Sequence, residues 1–486
     1  MSAVLGIDLG TSGAKAVIAD PRDAVLAEAS APIAVDTPRP GWSEQHPGAW
    51  IEAVGACLDA LAARGPAAMA RVEAIGLSGQ MLGAVLLDAA DRPLRPAILW
   101  NDQRALAECA VLRERVPDIG RRANGTPDPG LTAPKLLWLA AHEPQVMDRA
   151  ALLLLPKDLL RLWLTGERAT EPTDAGGTML LDCATGRWDA ELCAAAGWDE
   201  GRLPPVVPSW SAAGGLRGPL ARRWGLREGL PVAAGAGDNM AAALGAGAAR
   251  HGEAAITLGT SGVVCAVDAA FRPAPESAIL TSAHAAPGAF LSMAVVMSAT
   301  ASLGWLARLL GTEAAALARE AEAFVSDGRV EEAPLCRPSL TGLRTPHDRP
   351  DAAGALVGLT PRTDRGALAY AVMEGVAFQF RECVEAQRRA GLTPASFVAV
   401  GGGARSALWL RLIAGALGRP LAASPAAPVA APLGAARLAR ACLAPGSVAE
   451  AVGRRVPTAE PDVPDEALVA GLDRRFRLHR ARLGDL

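Results

Sequence analysis

One five-residue word, Leu9-Gly10-Thr11-Ser12-Gly13, returns near the middle of the chain as Leu258-Gly259-Thr260-Ser261-Gly262. Glycine lets a backbone approach a ligand closely, so two facing turns of this kind suit the phosphates of one nucleotide. Thr11, Ser12, Thr260 and Ser261 would add hydroxyl donors. The copies differ at one informative place: Asp8 stands two residues before Gly10, whereas Thr257 precedes Gly259. A carboxylate there either holds hydrated Mg²⁺ against phosphate oxygens or caps its own turn. Asp238, in Gly235-Ala236-Gly237-Asp238-Asn239, ends a strand and opens a helix. It is placed to accept a proton from an attacking sugar hydroxyl, or to serve only as a helix cap.

Two polar clusters interrupt apolar surroundings, Trp42-Ser43-Glu44-Gln45 and Ser78-Gly79-Gln80-Met81. Both suit a pocket for a polyhydroxylated ligand, with Trp42 stacking on carbons and Gln80 or Glu44 bonding to hydroxyls. Gly401-Gly402-Gly403-Ala404 follows a strand and precedes a helix, so it either receives a flat base or ribose or is a tight turn. Lysine occurs only at 15, 135 and 157, against 45 arginines. An arginine does not replace a compact ammonium at a phosphate or in a tight turn, so these three positions stand out. No Gly-x-x-x-x-Gly-Lys-Ser/Thr is present, and no Gly-x-Gly-x-x-Gly follows a strand.

The elements that must carry these residues alternate between strand and helix patterns. Val4–Asp8 and Lys15–Ala19 flank the first turn as strands, and Ala254–Leu258 and Val263–Val267 flank the second. Pro47–Leu61 carries Trp50, Ile51, Val54, Cys57, Leu58 and Leu61 on one helical stripe. Strands are expected at Val72–Leu77, Leu82–Leu87, Ile98–Trp100, Pro231–Ala234 and Phe397–Val400, and Leu152–Leu155 reads as a buried strand or an element end. Helices are expected at Asp102–Val116, Pro134–His142, Asn239–Ala246, Ser406–Leu417, Leu433–Cys442 and Ala467–Leu483, and near 300–310, 312–325 and 364–388. Leu421–Pro432 reads as a loop. Small residues at Gly245–Gly252 suggest a hinge between halves 1–246 and 247–486. The pattern is that of an α/β protein in two similar domains.

At 486 residues the chain has room for more than one domain, and 48 basic against 51 acidic residues leave a formal charge of −3. That balance offers no strong field for nucleic acid or an acidic membrane. The first residues lack a basic leader pattern, and no run of about 18 apolar residues occurs, so we expect a soluble cytoplasmic protein. The eight cysteines and six histidines are scattered, without zinc or redox spacing.

Taken in order, these words resemble the FGGY carbohydrate kinases, most closely their bacterial xylulokinase branch. The resemblance runs through Gly6–Gly13 with Lys15, Trp42–Gln45, Gly79–Met81, Arg95–Asp102, Thr132–Trp138, Leu155–Asp158, Gly237–Asn239, Leu258–Gly262, Arg344–His347, Glu374-Gly375, Gly401–Ser406 and Leu433–Ala436. It implies two actin-like, ribonuclease-H-like domains flanking a catalytic cleft, with sugar mainly on the first and ATP mainly on the second. It further implies Asp238 as catalytic base, Asp8 as the metal-linked carboxylate, and Gln80, Met81, Leu82, Trp42 and Asn239 around the sugar. Thr11, Ser12, Lys15, Gly259, Thr260, Ser261, Gly402, Gly403 and Ala404 fall on the nucleotide side. The reaction implied is transfer of phosphate from ATP, with Mg²⁺, to a ketopentose, D-xylulose first; other ketoses or polyols, and a catalytically silent sugar binder, are the alternatives. A homodimer is compatible with it. The chain departs from the family pattern at Leu82, where a sugar-contacting histidine is usual, at Leu343, and at Val429–Pro432.

Overall fold

The computed structural model describes residues 2–455 and 458–484. Two sheets repeat one plan. In the first, Ala3–Leu9 pairs antiparallel with Gly13–Ala19 and parallel with Val72–Gly79; Val25–Pro32 extends one side, Pro231–Ala233 and Ala212–Gly215 the other. In the second, Glu253–Leu258 pairs antiparallel with Gly262–Asp268 and parallel with Ser396–Val400. Phe290–Val296 and Leu280–Ala283 extend one side and Leu421–Ala423 the other. Both hairpins thus lie beside a parallel strand whose far end carries candidate chemistry. Leu5, Ile7, Leu9, Ile256 and Leu258 are fully buried, as expected of strands covered on both faces.

Two helices tie the sheets together. Asp238–Ala246 touches Val72–Gly79 of the first sheet and Glu253–Leu258 and Ser396–Val400 of the second. Ala430–Leu443 comes late in the chain yet packs on Ala3–Leu9 and Val72–Gly79. Their contact is backbone to backbone: a Cβ on Gly245 would lie 1.8 Å from the Ala430 carbonyl oxygen, and one on Gly434 1.9 Å from that of Ala241. The helix that begins at Asp238 is therefore held by small residues whose side chains leave no slack.

Most expected elements are present, with shifted ends. Pro47–Arg64 starts where His46 Nδ1 accepts the Gly48 N–H and Pro47 takes the first helical position. The helix expected from Asp102 begins at Leu106, because Asp102 Oδ1 accepts the Arg104 N–H and turns the chain first. Leu421–Pro432 is not a loop throughout: Leu421–Ala423 is an edge strand, and the next long helix begins at Ala430, with Pro432 tolerated in its first turn. Of the expected hinge segment Gly245–Gly252, Gly245 and Ala246 lie inside a helix, which closes at Gly247 with φ 95°. Seven of the eight cysteines are buried, and all eight are free thiols. Among the described residues no helix is long and apolar enough to cross a membrane.

Candidate active site

Sheet register explains why two distant carboxylates meet. Asp8 is opposite Ser78 on the parallel neighbour, and Ser78 is opposite Ala236; in the next row Leu9, Gly79 and Gly237 align. Asp238 follows immediately, so it emerges from the same sheet edge as Asp8. Ser78 Oγ donates to Asp8 Oδ1 at 2.8 Å. Burial raises the Asp8 carboxyl above its ordinary value, opposed by the Ser78 hydrogen bond and the Lys15 charge. Asp238 Oδ1 accepts from the Asn239 backbone N–H at 2.7 Å and from its Nδ2 at 3.0 Å. Burial, then the Asp8 charge, pushes the Asp238 carboxyl up to about 7, against these two bonds. Among the described residues nothing donates to its second oxygen, which is left for a ligand. The same holds for the second oxygen of Asp8. One or two carboxylates with free oxygens are what Mg²⁺ uses when it retains several waters, so Asp8 with Asp238 nearby fits that ion.

Both glycine turns have their carbonyls tied back. Ser12 O accepts from Ile33 N and Thr11 O from Gln45 Nε2; Gly259 O and Thr260 O accept from the N–H groups of Thr300 and Ala299. The N–H groups of Thr11, Ser12, Thr260 and Ser261 have no acceptor among the described residues, an arrangement suited to phosphate oxygens. Ser12, Thr260 and Ser261 are exposed. The Thr11 hydroxyl is committed: it donates to Gln80 Oε1 and accepts from Trp100 Nε1. Lys15 pairs across the hairpin with Asp8, and its Nζ donates to Pro428 O at 2.7 Å. The other two lysines are buried in the fold. Lys157 meets Asp158, Glu171 and Asp174, and Lys135 donates to the carbonyls of Leu82 and Gly130.

Several sequence expectations need correction. Gln80 is 1 % exposed, and both ends of its amide are used internally, one by Thr11 and one by Gln45 Oε1. It braces the first turn instead of reaching a hydroxyl. Trp42 has the Arg104 and Arg39 guanidinium groups 3.6 and 4.8 Å from its ring centre, with Trp138 edge-on. Its ring is engaged by protein groups and is not free to stack on sugar carbons. Glu44 Oε1 accepts from both Arg95 and Arg104. Asn239 holds Asp238. Of the four expected contacts on the sugar side besides Asn239, Met81 is buried and Leu82 half-buried. Met81 lies against Gly237, and Leu82 adopts φ 72° with its side chain against Gly177. On the nucleotide side Gly402 is exposed, while Gly403 and Ala404 are buried. A Cβ on Gly403 would strike Leu258, so that glycine serves the packing of the second hairpin.

Sequence reading passed over Trp100, which is 49 % exposed with its indole N–H on Thr11. Its signal was an indole at the end of an apolar run inside Arg95–Asp102, a place where a half-bare aromatic surface faces a polar turn. It also passed over Thr173 and Glu171, which no local pattern distinguishes from helix-start chemistry.

A duplicated sheet with a glycine turn in each half and two carboxylates at one edge suits a two-domain phosphotransferase. Residues 3–245 match the N-terminal domain of the FGGY family of carbohydrate kinases and residues 254–442 its C-terminal domain. The chain belongs to this family, whose members share the actin-like two-domain fold. It is 38% identical over 476 residues to the xylulose kinase of Escherichia coli (strain K12), covering 98% of this chain and 97% of that one. The crystal structure of a xyloylose kinase from Brucella ovis superposes with a TM-score of 0.95 at 41% identity, covering 99% of each chain. That of xylulose kinase from Rhodospirillum rubrum gives 0.91 at 31%, covering 100% of this chain and 99% of that one.

Proposed function

We propose that this protein transfers the γ-phosphoryl group of ATP to D-xylulose, giving ADP and D-xylulose 5-phosphate, with Asp238 as general base. The observation that carries this reading is the Asp238 carboxyl, set beside Asp8 at the sheet edge with a pKa of about 7. A base is most effective when it titrates near the working pH. The sugar's terminal hydroxyl gives its proton to the free Asp238 oxygen as its own oxygen attacks the γ-phosphorus in line, and ADP departs. Asn239 fixes the other Asp238 oxygen. Mg²⁺, held through Asp8, would neutralise charge gathering on the phosphate oxygens. The N–H groups of the two turns receive the phosphate chain, residues 247–486 supply the nucleotide side with Gly402 at its exposed edge, and residues 1–246 supply the sugar side. Trp100 offers an apolar face there, with Met81 and Leu82 as walls. The relatives named xylulose kinase support D-xylulose as the acceptor.

A second reading keeps the chemistry and changes the acceptor. Leu82 offers no hydrogen bond to a sugar hydroxyl, and its side chain packs on Gly177, which favours an acceptor with fewer polar groups at that wall. A coupled ADP-release assay across D-xylulose, L-ribulose, L-xylulose, D-ribulose and glycerol separates the two readings. D-xylulose should give the highest kcat/KM; a competitor ranking first would shift the acceptor, and silence with the whole panel would remove the kinase reading. Asp238→Ala should lower kcat by roughly 10²–10⁴-fold while calorimetry still detects ATP binding.

A further inference from the structure

We propose that Thr173 is a positioning residue for Asp238, acting through the peptide immediately before it. This rests on Asp238 being the base. The Gly237 N–H donates to Thr173 Oγ1 at 2.9 Å, and Thr173 Oγ1 donates in turn to Glu171 Oε1 at 2.9 Å. The direction is fixed by chemistry, because a carboxylate only accepts; the hydroxyl must give its one hydrogen to Glu171 and offer a lone pair to Gly237. Glu171 cannot turn away. Its Oε1 also accepts from Asp174 N at 3.1 Å and lies 3.2 Å from Lys157 Nζ, and its Oε2 accepts from Thr173 N and Ser209 Oγ, each at 2.8 Å. Thr173, Glu171, Lys157 and Asp174 are all wholly buried.

The arrangement answers a need that the sequence creates at 237. Met81 lies so close to this position that a Cβ would come 2.6 Å from its Sδ, so any larger residue would have to push the Met81 side chain aside. Glycine also leaves the main chain free to rotate just where the base is hung. The Thr173 hydroxyl removes that freedom from the other side, trapping Gly237 between a sugar-side wall and a rigid ionic cluster. A base displaced by about 1 Å loses roughly 10²-fold in rate, so the hydroxyl acts on turnover without touching either substrate.

The test compares Thr173→Val, Thr173→Ala and Thr173→Ser with Asp238→Asn, measuring kcat, KM for D-xylulose and ATP, and melting midpoints. Thr173→Val should lower kcat about 10²-fold with both KM values within about threefold of the parent enzyme, and Thr173→Ser should recover most of the rate. If Thr173→Val does not fold, Thr173→Ala against Thr173→Ser gives the same contrast. A parent-like kcat in the hydroxyl-less variants, a serine variant no better than they are, or a loss appearing equally in both KM values overturns the proposal. If Asp238→Asn turns over normally, the base reading fails; if it is silent while Thr173→Val is normal, only the positioning role fails.

Discussion

The turns at Gly10–Gly13 and Gly259–Gly262 are spelled identically and close differently. In the first, Leu9 pairs with Ala14, and Asp8 faces Lys15; in the second, Leu258 pairs with Gly262, one residue earlier in the word. That slip carries Val264, the counterpart of Lys15, opposite Ile256 and into the core, where it is fully buried. The first turn is also wired into the protein, its Thr11 hydroxyl shared between Gln80 and Trp100. The Thr260 and Ser261 side chains of the second stand exposed, while its carbonyls are gripped by the start of helix Thr300–Leu309. Duplication supplied two glycine turns; their surroundings left one tied into the fold beside a carboxylate and the other with exposed hydroxyls.

Substitutions at matched positions should separate the two turns, and the largest contrast is expected at the residue two before the first glycine. Asp8→Asn should cut kcat by about 10²–10³-fold, since it removes the carboxylate offered to the metal, whereas Thr257→Val should stay within about threefold. Parallel kinetics of the pair check this, and equal losses would mean that the turns share one role. Next in size, Thr260→Val combined with Ser261→Ala should raise the KM for ATP about tenfold and leave the KM for sugar unchanged, as expected for hydroxyls bonded to charged oxygens. Thr11→Val should instead lower the melting midpoint, because its loss orphans Gln80 and Trp100.

The pH profile sharpens the electrostatic side of the comparison. Asp238 is raised, so it is protonated and idle below about pH 7, and turnover should rise through that value as it ionises. Asp8→Asn removes a like charge, so the midpoint of its residual activity should move to lower pH; a midpoint that stays in place would show that burial alone sets it. The smallest effect is expected at Gln80→Ala, a loss of roughly 1–3 kcal/mol of stability in urea unfolding, since Gln45 and Thr11 lose a partner while neither substrate does.

Much of the candidate site was legible because its residues stand in local words. The glycine turns, Asp8 and Asp238 stand where strand–turn–strand and strand–helix patterns announce them, and the helices at Pro47, Arg365 and Ala407 follow apolar stripes. What failed was the assignment of partners. Trp42 and Gln80 looked like ligand contacts because they are polar or amphipathic residues in apolar neighbourhoods. That signature belongs equally to side chains satisfied by Arg104 or Gln45, which come from other parts of the chain. Leu421–Pro432 looked irregular because alanine and proline carry no strand signal; an available sheet edge at Ser396–Val400 supplies the hydrogen bonds that propensity does not.

By itself the sequence determined the repeated turn, the single carboxylate that distinguishes its copies, the run of elements and the kinase family to which they belong. Tertiary structure alone decided that Asp8 and Asp238 share one sheet edge, that Lys15 pairs with Asp8 while Val264 is buried in the core, and that Thr173 reaches Gly237. Those facts depend on strand register and on which buried donors find which acceptors, and both are settled by hydrogen bonds and close packing between segments far apart in the chain.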